Sequence, residues 1–114
     1  MNDHARVPIT VKQGGLYIDR TACLLFFPGI ETVILLRRDD DLVVLPVTHA
    51  AAGGYLLKLR NSAGDRVVNA ADFFRSHAID DEMQCDWVAE WSEEWSGLCA
   101  KNVFKCKESF QLEK

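Results

Sequence analysis

The sequence predicts a mostly β domain (α+β class) built from two pseudo-repeated strand–strand–helix–strand–strand units. Short runs rich in β-branched residues are bounded by turn-forming residues, which is typical of strands and hairpins. One phenylalanine-containing segment in each half has the length of a short helix. The same order of elements occurs in both halves, which indicates an internal repeat. The units are expected at residues 7–48 and 54–100 of a single domain, 1–114.

The first unit begins with the strand "VPITVKQ" and returns as "LYIDR" after a turn at Gly14 and Gly15. Thr21 is expected to cap the short helix "TACLLFF", which Pro28 and Gly29 end. The strands "TVILL" and "LVVLPV" follow, joined by the polar turn "RRDDD". The small and glycine-rich segment "THAAAGG" is the expected linker to the second unit.

The second unit repeats this order. In "YLLKLR", Tyr55, Leu57 and Leu59 are expected on one face of a strand. The segment "NSAGD" is a hairpin turn, "RVVN" is the returning strand, and "ADFFRSHAI" is a short helix with Asn69 or Asp72 near its start. When Gly15 is aligned with Gly64, Ala22 aligns with Ala71 and Ile30 aligns with Ile79. An internal duplication explains this recurrence.

The segment "WVAEWSEEW" fits two structures. As a helix, the tryptophans form an apolar stripe at a spacing of four residues. As a strand, Trp87 and Trp91 alternate with polar neighbours, and "SEEWSG" forms a turn before "LCAK". The duplication favours the hairpin, because the first unit has a strand, an acidic turn and a strand at this point. Trp95 is then expected near the turn and partly exposed.

The last fourteen residues, 101–114, are expected to form a C-terminal edge strand or a tail. In "KNVFKCKESFQLEK", Phe104 and Phe110 share one parity, while Lys105 and Lys107 take the other. Such a strand can pair with a second copy of the chain. The expectation is that ending the chain after Ala100 leaves a folded domain and disturbs self-association.

Charge and composition limit the classes of partner. Thirteen lysines and arginines against seventeen aspartates and glutamates give a net charge of −4, which disfavours binding of the whole molecule to nucleic acid or to an anionic membrane surface. No signal-peptide pattern or spanning segment is visible, so the predicted location is the cytoplasm, with reduced cysteines.

The residues that could support catalysis are few. Among the histidines, His77 is expected at a helix end, where a cationic side chain interacts favourably with the helix dipole. No nucleophile and base stand together in a recognisable motif, and no cofactor is predicted. A zinc site can be drawn only from residues far apart in sequence, namely His77, Cys85, Cys99 and Cys106. Buried cysteines more often act as small hydrophobic residues, so no metal is predicted.

Two consecutive units of this kind, with glycine-rich first turns and the helix exits "FFPGI" and "SHAI", resemble the swapped-hairpin barrels of the AbrB superfamily. Tandem copies in one chain resemble the MraZ family. The resemblance covers about residues 7 to 100. It implies that the two units interlock into one swapped-hairpin-like barrel, and that basic residues on the hairpins contact DNA: Arg37, Arg38, Lys58, Arg60 and Arg66. The second hairpin turn of each unit, "RRDDD" and "SEEWSG", contains acidic residues, which departs from the expectation of DNA binding.

Two classes of binding function therefore stay open beside an enzyme whose site is not visible in sequence. In the first, a regulatory or accessory module contacts a protein partner, or a second copy, through aromatic residues: Trp95, Phe104 and Phe110. In the second, the five basic residues bind DNA. Salt separates the two, because contacts to several phosphates weaken steeply as the salt concentration rises.

Overall fold

The computed structural model describes residues 6–47 and 54–104, which are mostly β with two short helices. The strands of these ranges form a nearly closed antiparallel sheet of nine strands. The elements, numbered in chain order, are β1 (Arg6–Lys12), β2 (Gly15–Ile18), α1 (Arg20–Phe26), β3 (Thr32–Arg38), β4 (Asp41–Val47), β5 (Tyr55–Leu56), β6 (Lys58–Leu59), β7 (Arg66–Asn69), α2 (Ala71–Ser76), β8 (Gln84–Ser92) and β9 (Gly97–Ala100).

The sheet interleaves the two units. The strand order is β5-β3-β4-β9-β8-β1-β2-β7-β6, so each hairpin of one unit lies between strands of the other. The β1–β2 hairpin lies between β8 and β7, and the β3–β4 hairpin lies between β9 and β5. When β1 is exchanged with β5 and β6, β2 with β7, β3 with β8, and β4 with β9, every strand pairing stays the same. This is the swapped-hairpin-like barrel predicted from the sequence.

The barrel closes at residues 55–59, where the chain changes from pairing with β3 to pairing with β7. β5 pairs with β3 and β6 pairs with β7, with Leu57 between them. The Leu57 amide donates to the Glu31 carbonyl at 2.8 Å, and its carbonyl accepts from the Arg66 guanidinium at 3.1 Å. This break resets the alternation of the strand. Leu57 is 3% exposed, whereas Leu59 is 60% exposed, so the prediction that the two side chains share one face is wrong.

Side chains of alternate strand positions fill the barrel. In β4, Leu42 and Val44 belong to the core cluster, and in β9 Leu98 and Ala100 do. From α2, Phe74 is fully buried, and from β2, Leu16 and Ile18 are. The prediction that "LYIDR" forms a strand is confirmed for residues 16–18, in which Leu16 and Ile18 face the core.

Local details of the turns and helix starts differ from the predictions. The first turn consists of Gln13 and Gly14, both at positive φ, one residue earlier than expected. A methyl group on Gly14 would lie 2.6 Å from the Ala71 Cβ, so the turn approaches α2 closely. α1 is capped by Asp19 rather than Thr21, because the Asp19 carboxylate accepts from the Ala22 amide at 2.9 Å.

The tryptophan-rich segment is a hairpin and not a helix, as predicted. β8 and β9 pair antiparallel, with Ser92 opposite Gly97 and a turn between them. Trp87 and Trp91 face the core. The Trp91 ring stacks on Phe26 of α1 with ring centroids 5.4 Å apart, so this strand and helix are joined by aromatic packing.

Trp87 has an unusual feature among the described residues. Its Nε1 atom is buried and has no hydrogen-bond partner. We expect Trp87→Phe to change the free energy of unfolding by less than about 1 kcal/mol, because relief of the unsatisfied donor offsets the smaller ring. Urea denaturation measures this. Trp91→Phe is the control and should cost more, since it weakens the stack on Phe26. An equal loss in both variants would contradict the assignment of an unpaired Nε1.

The start of the C-terminal segment is part of the core. Residues 101 and 102 form a turn, and Val103 and Phe104 have helical backbone and are each 1% exposed. The Phe104 amide donates to the Asp40 carbonyl at 3.0 Å. An edge strand beginning at residue 101 is therefore wrong for these four residues. Phe110 and the rest of the segment lie outside the described residues.

Candidate functional site

A cleft of about 460 Å3 lies on the outer face of the sheet, across β8, β9, β4 and the end of β3. Its floor comes from strand positions that alternate with core residues. Val43 and Cys99 are direct cross-strand partners, and Glu90 is the partner of Cys99 on the other side. Val43 is 1% exposed although it is outside the core cluster, whereas Val88 at the side of the cleft is 60% exposed.

Besides Trp91, which packs against the core, Trp95 is an aromatic residue of this cleft. It lies in the turn between β8 and β9, and its amide donates to the Ser92 hydroxyl at 3.3 Å. The Arg38 guanidinium, from the turn end of β3, lies over the Trp95 ring at 4.6 Å from the centroid. Trp95 is partly exposed, as predicted. The structure therefore brings together Trp95 and Arg38, which the sequence assigned to two different functions.

The lining of the cleft is acidic. Five carboxylates face two cations, Arg38 and Lys101; the five are Asp39, Asp41, Glu90, Glu93 and Glu94. Two carboxylates are paired: Asp41 lies 3.7 Å from the Lys101 ammonium, and Glu90 lies 3.1 Å from the Arg6 guanidinium. Within the described ranges, Glu93 and Glu94 form no ion pair. The cleft therefore has a net negative charge and two exposed carboxylates beside the indole.

Two thiols and one histidine of the described residues are poorly suited to catalysis. Burial raises the pKa of Cys23 to about 11, so this thiol is protonated and weakly nucleophilic at neutral pH. Burial, assisted by Asp41, also raises the pKa of Cys99. His77 ends α2 and contacts the rings of Phe73 and Phe104. Burial, assisted by the Arg37 charge, lowers the pKa of His77. This disfavours the cationic form that was expected at this helix end.

The five basic residues expected to contact DNA lie at two opposite ends of the strands and not together. In the antiparallel pair of β3 and β5, Thr32 lies opposite Leu56. Arg38 lies six residues beyond Thr32 in one direction, and Arg60 lies four residues beyond Leu56 in the other. At ~3.3 Å per residue the two are separated by roughly 30 Å along the strands. Arg37 lies at the end with Arg38, whereas Lys58 and Arg66 lie at the end with Arg60.

Several of these basic side chains have partners within the molecule. Arg37 contacts the Asp40 carboxylate at 3.3 Å and the Phe104 ring at 5.0 Å. Arg60 lies over the Tyr17 ring at 5.0 Å. Arg66 donates to the Leu57 carbonyl. They therefore stabilise the turns and the barrel seam in this structure.

Phe104, predicted as a protein contact, is covered by its own chain. Its ring contacts Phe73 and His77 at centroid distances of 6.3 and 5.3 Å. Of the three aromatic residues predicted to bind a partner, Trp95 is accessible, Phe104 is buried, and Phe110 lies outside the described residues.

No metal centre is present among the residues that the structure describes, where no group of three or more histidine, cysteine, aspartate or glutamate side chains could hold an ion. Cys85 pairs with Val11, and Cys99 pairs with Glu90, so five residues of β8, or roughly 17 Å, separate the two positions. Cys106, the remaining cysteine of the drawn zinc site, lies outside the described residues.

Sequence reasoning missed most of the cleft. Glu90, Cys99 and Lys101 point outward from β8, β9 and the following turn, and Val43 joins them from the other unit. Strand parity places each of them on the outer face, but only the pairing of β4 with β9 brings the two units together at this point.

The described helices are too short to cross a membrane. Comparison of the chain with protein-family models, with curated proteins and with solved structures finds no match.

Proposed function

We propose that this protein is a non-enzymatic binding module that acts through protein–protein contacts, and that the Trp95 cleft is its contact surface. The observation that supports this most directly is a partly exposed tryptophan that lines a cleft of about 460 Å3. Tryptophan is enriched among the residues that dominate binding energy at protein interfaces. A cleft of this size has room for a few side chains of a partner.

The charge of the cleft and the state of the thiols favour binding over catalysis. The cleft contains no histidine, and its cysteine, Cys99, has a raised pKa. A histidine or an activated thiol is the usual general base or nucleophile near neutral pH, and the described lining of the cleft contains neither. An acidic surface also repels phosphates, so a nucleic acid is a poor partner for this face.

The relationship to the AbrB superfamily is retained as a proposal, and its support is the interleaving of hairpins from two units. Binding of DNA is the second candidate function. The separation of its five basic residues along the barrel weighs against a single contact face on one molecule. Fold likeness alone does not decide between these functions.

Panning of a random peptide library on the immobilised chain tests the proposed function. We expect enriched peptides that bind in the micromolar range and lose at least tenfold in affinity when Trp95→Ala is used, because the indole supplies the main apolar contact. Trp87→Phe is the matched control, since it changes an indole inside the barrel, and it should bind as the unmodified chain does.

The same preparation is titrated against mixed-sequence duplex DNA from low to high salt. Failure to enrich any peptide, or equal binding by Trp95→Ala, would overturn the protein-contact proposal. Tight DNA binding that falls steeply with salt would instead establish the second candidate.

A further inference from the structure

We propose that the Trp95 cleft recognises an arginine of the partner, and that Arg38 occupies the place of that arginine in the free protein. This inference rests on the proposed function, because it names the chemistry that the cleft would bind. It starts from the contact between the Arg38 guanidinium and the Trp95 ring, at 4.6 Å. A guanidinium over an indole face is among the most favourable cation–π pairs.

The Arg38 side chain is exposed, so a guanidinium of another chain can replace it over the Trp95 ring. It stands at the last position of β3, beside the turn formed by Asp39 and Asp40. Arg37, its neighbour, lies against Asp40 and the buried Phe104, whereas the Arg38 guanidinium makes no ion pair with any described residue. Because an exposed cation–π contact is weak, a guanidinium from another chain can replace it at little cost.

The carboxylates around the indole favour a cation. Glu93 and Glu94 immediately precede Trp95 in the turn, are exposed, and form no ion pair within the described ranges. Arg38 over the ring forms no ion pair with them, so their negative charge attracts a partner arginine at longer range and not through a direct contact. Arginine is favoured over lysine, because its planar guanidinium stacks on an aromatic face.

The partner class that follows is a protein with an exposed, arginine-containing segment. A phosphate-rich ligand is disfavoured at this site, since the lining contains five carboxylates and two cations. Val88, which is 60% exposed at the side of the cleft, can contact a neighbouring aliphatic side chain of the same segment.

The test uses two peptides, Gly-Ser-Arg-Ser-Arg-Ser-Gly and the same peptide with citrulline in place of both arginines. Citrulline has nearly the shape of arginine without its charge. Binding is followed by the three indole N–H signals in a 15N–1H correlation spectrum, in which Trp95→Ala identifies the Trp95 signal. We expect the arginine peptide to move the Trp95 signal saturably, and the citrulline peptide to bind at least tenfold more weakly.

Two pairs of variants test the exchange itself. Arg38→Gln is expected to raise the affinity for the arginine peptide several-fold, because it removes the internal competitor. Arg60→Gln, which removes an exposed guanidinium from over the Tyr17 ring, should leave the affinity unchanged. Glu93→Gln with Glu94→Gln should weaken binding about tenfold, whereas the same charge change at Glu31 and Glu82, outside the cleft, should not.

Equal binding of the two peptides, no movement of the Trp95 signal, or weaker binding by Arg38→Gln would overturn this proposal. These outcomes are distinguishable from failure of the proposed function. Peptides from the library that require Trp95 but contain no arginine would keep the protein-contact function and remove the arginine specificity. A library that yields no Trp95-dependent peptide removes both.

Discussion

Ile18→Asp is expected to abolish cooperative folding. Ile18 is 1% exposed inside the barrel, between Ile9 of β1 and the start of β7. No buried charged side chain is found among the described residues, so no cation stands ready to pair with a carboxylate there. Burial of an unpaired charge costs several kcal/mol, which is comparable with the whole stability of a typical domain, about 5–15 kcal/mol.

Urea denaturation followed by circular dichroism measures this effect, and Val88→Asp is the matched control. Val88 is also a β-branched strand residue, but it is exposed on the outer face, so its replacement should cost only about 1 kcal/mol through strand propensity. If Ile18→Asp unfolds with a transition like that of Val88→Asp, the inward orientation of β2 is wrong.

Phe104→Ala is expected to lower the free energy of unfolding by about 3–5 kcal/mol, the range for removal of a fully buried phenylalanine ring. The ring covers His77 and Phe73 of the α2 region and lies under the Arg37 guanidinium. Ending the chain after Ala100 should cost more, because Val103 is removed with it. This replaces the expectation from sequence that such a truncation leaves a folded domain.

Chemical denaturation again gives the measurement. Phe104→Leu keeps an apolar side chain of similar size and should lose less than ~1.5 kcal/mol. Lys101→Ala removes an exposed ion pair with Asp41 from the same turn and should lose ~0–1 kcal/mol. A Phe104→Ala variant as stable as Lys101→Ala would show that the ring adds nothing to the core and would restore the view of Phe104 as a surface contact.

The fold was predictable to a large extent because its signals are local. The alternation of "LYIDR", the acidic turn "RRDDD" and the glycine-rich first turn each act over a few residues, and the structure contains a strand or a turn at each. The choice of a hairpin for the tryptophan segment depended on comparison of the two halves. It was correct, because both halves build the same pair of strands.

The candidate site was predictable only in part. The turn position of Trp95 indicated partial exposure, and this is observed. Its contact with Arg38 was not predictable, because 57 positions of chain separate the two and only the register of β4 against β9 joins them. The burial of Phe104 was missed for a related reason: the parity of an isolated segment does not reveal which surface covers it.

The sequence by itself determined most of the strands, turns and helices of residues 6–100, since side-chain periodicity and turn chemistry depend on neighbouring residues. It also determined the acidic balance of the chain. Tertiary structure alone decided which strands became neighbours, where the barrel closed at Leu57, and which charges met Trp95. The physical reason is that a closed sheet satisfies its backbone hydrogen bonds between strands that are distant in sequence. The partners of each outward-facing side chain are therefore set by closure of the barrel and not by local pattern.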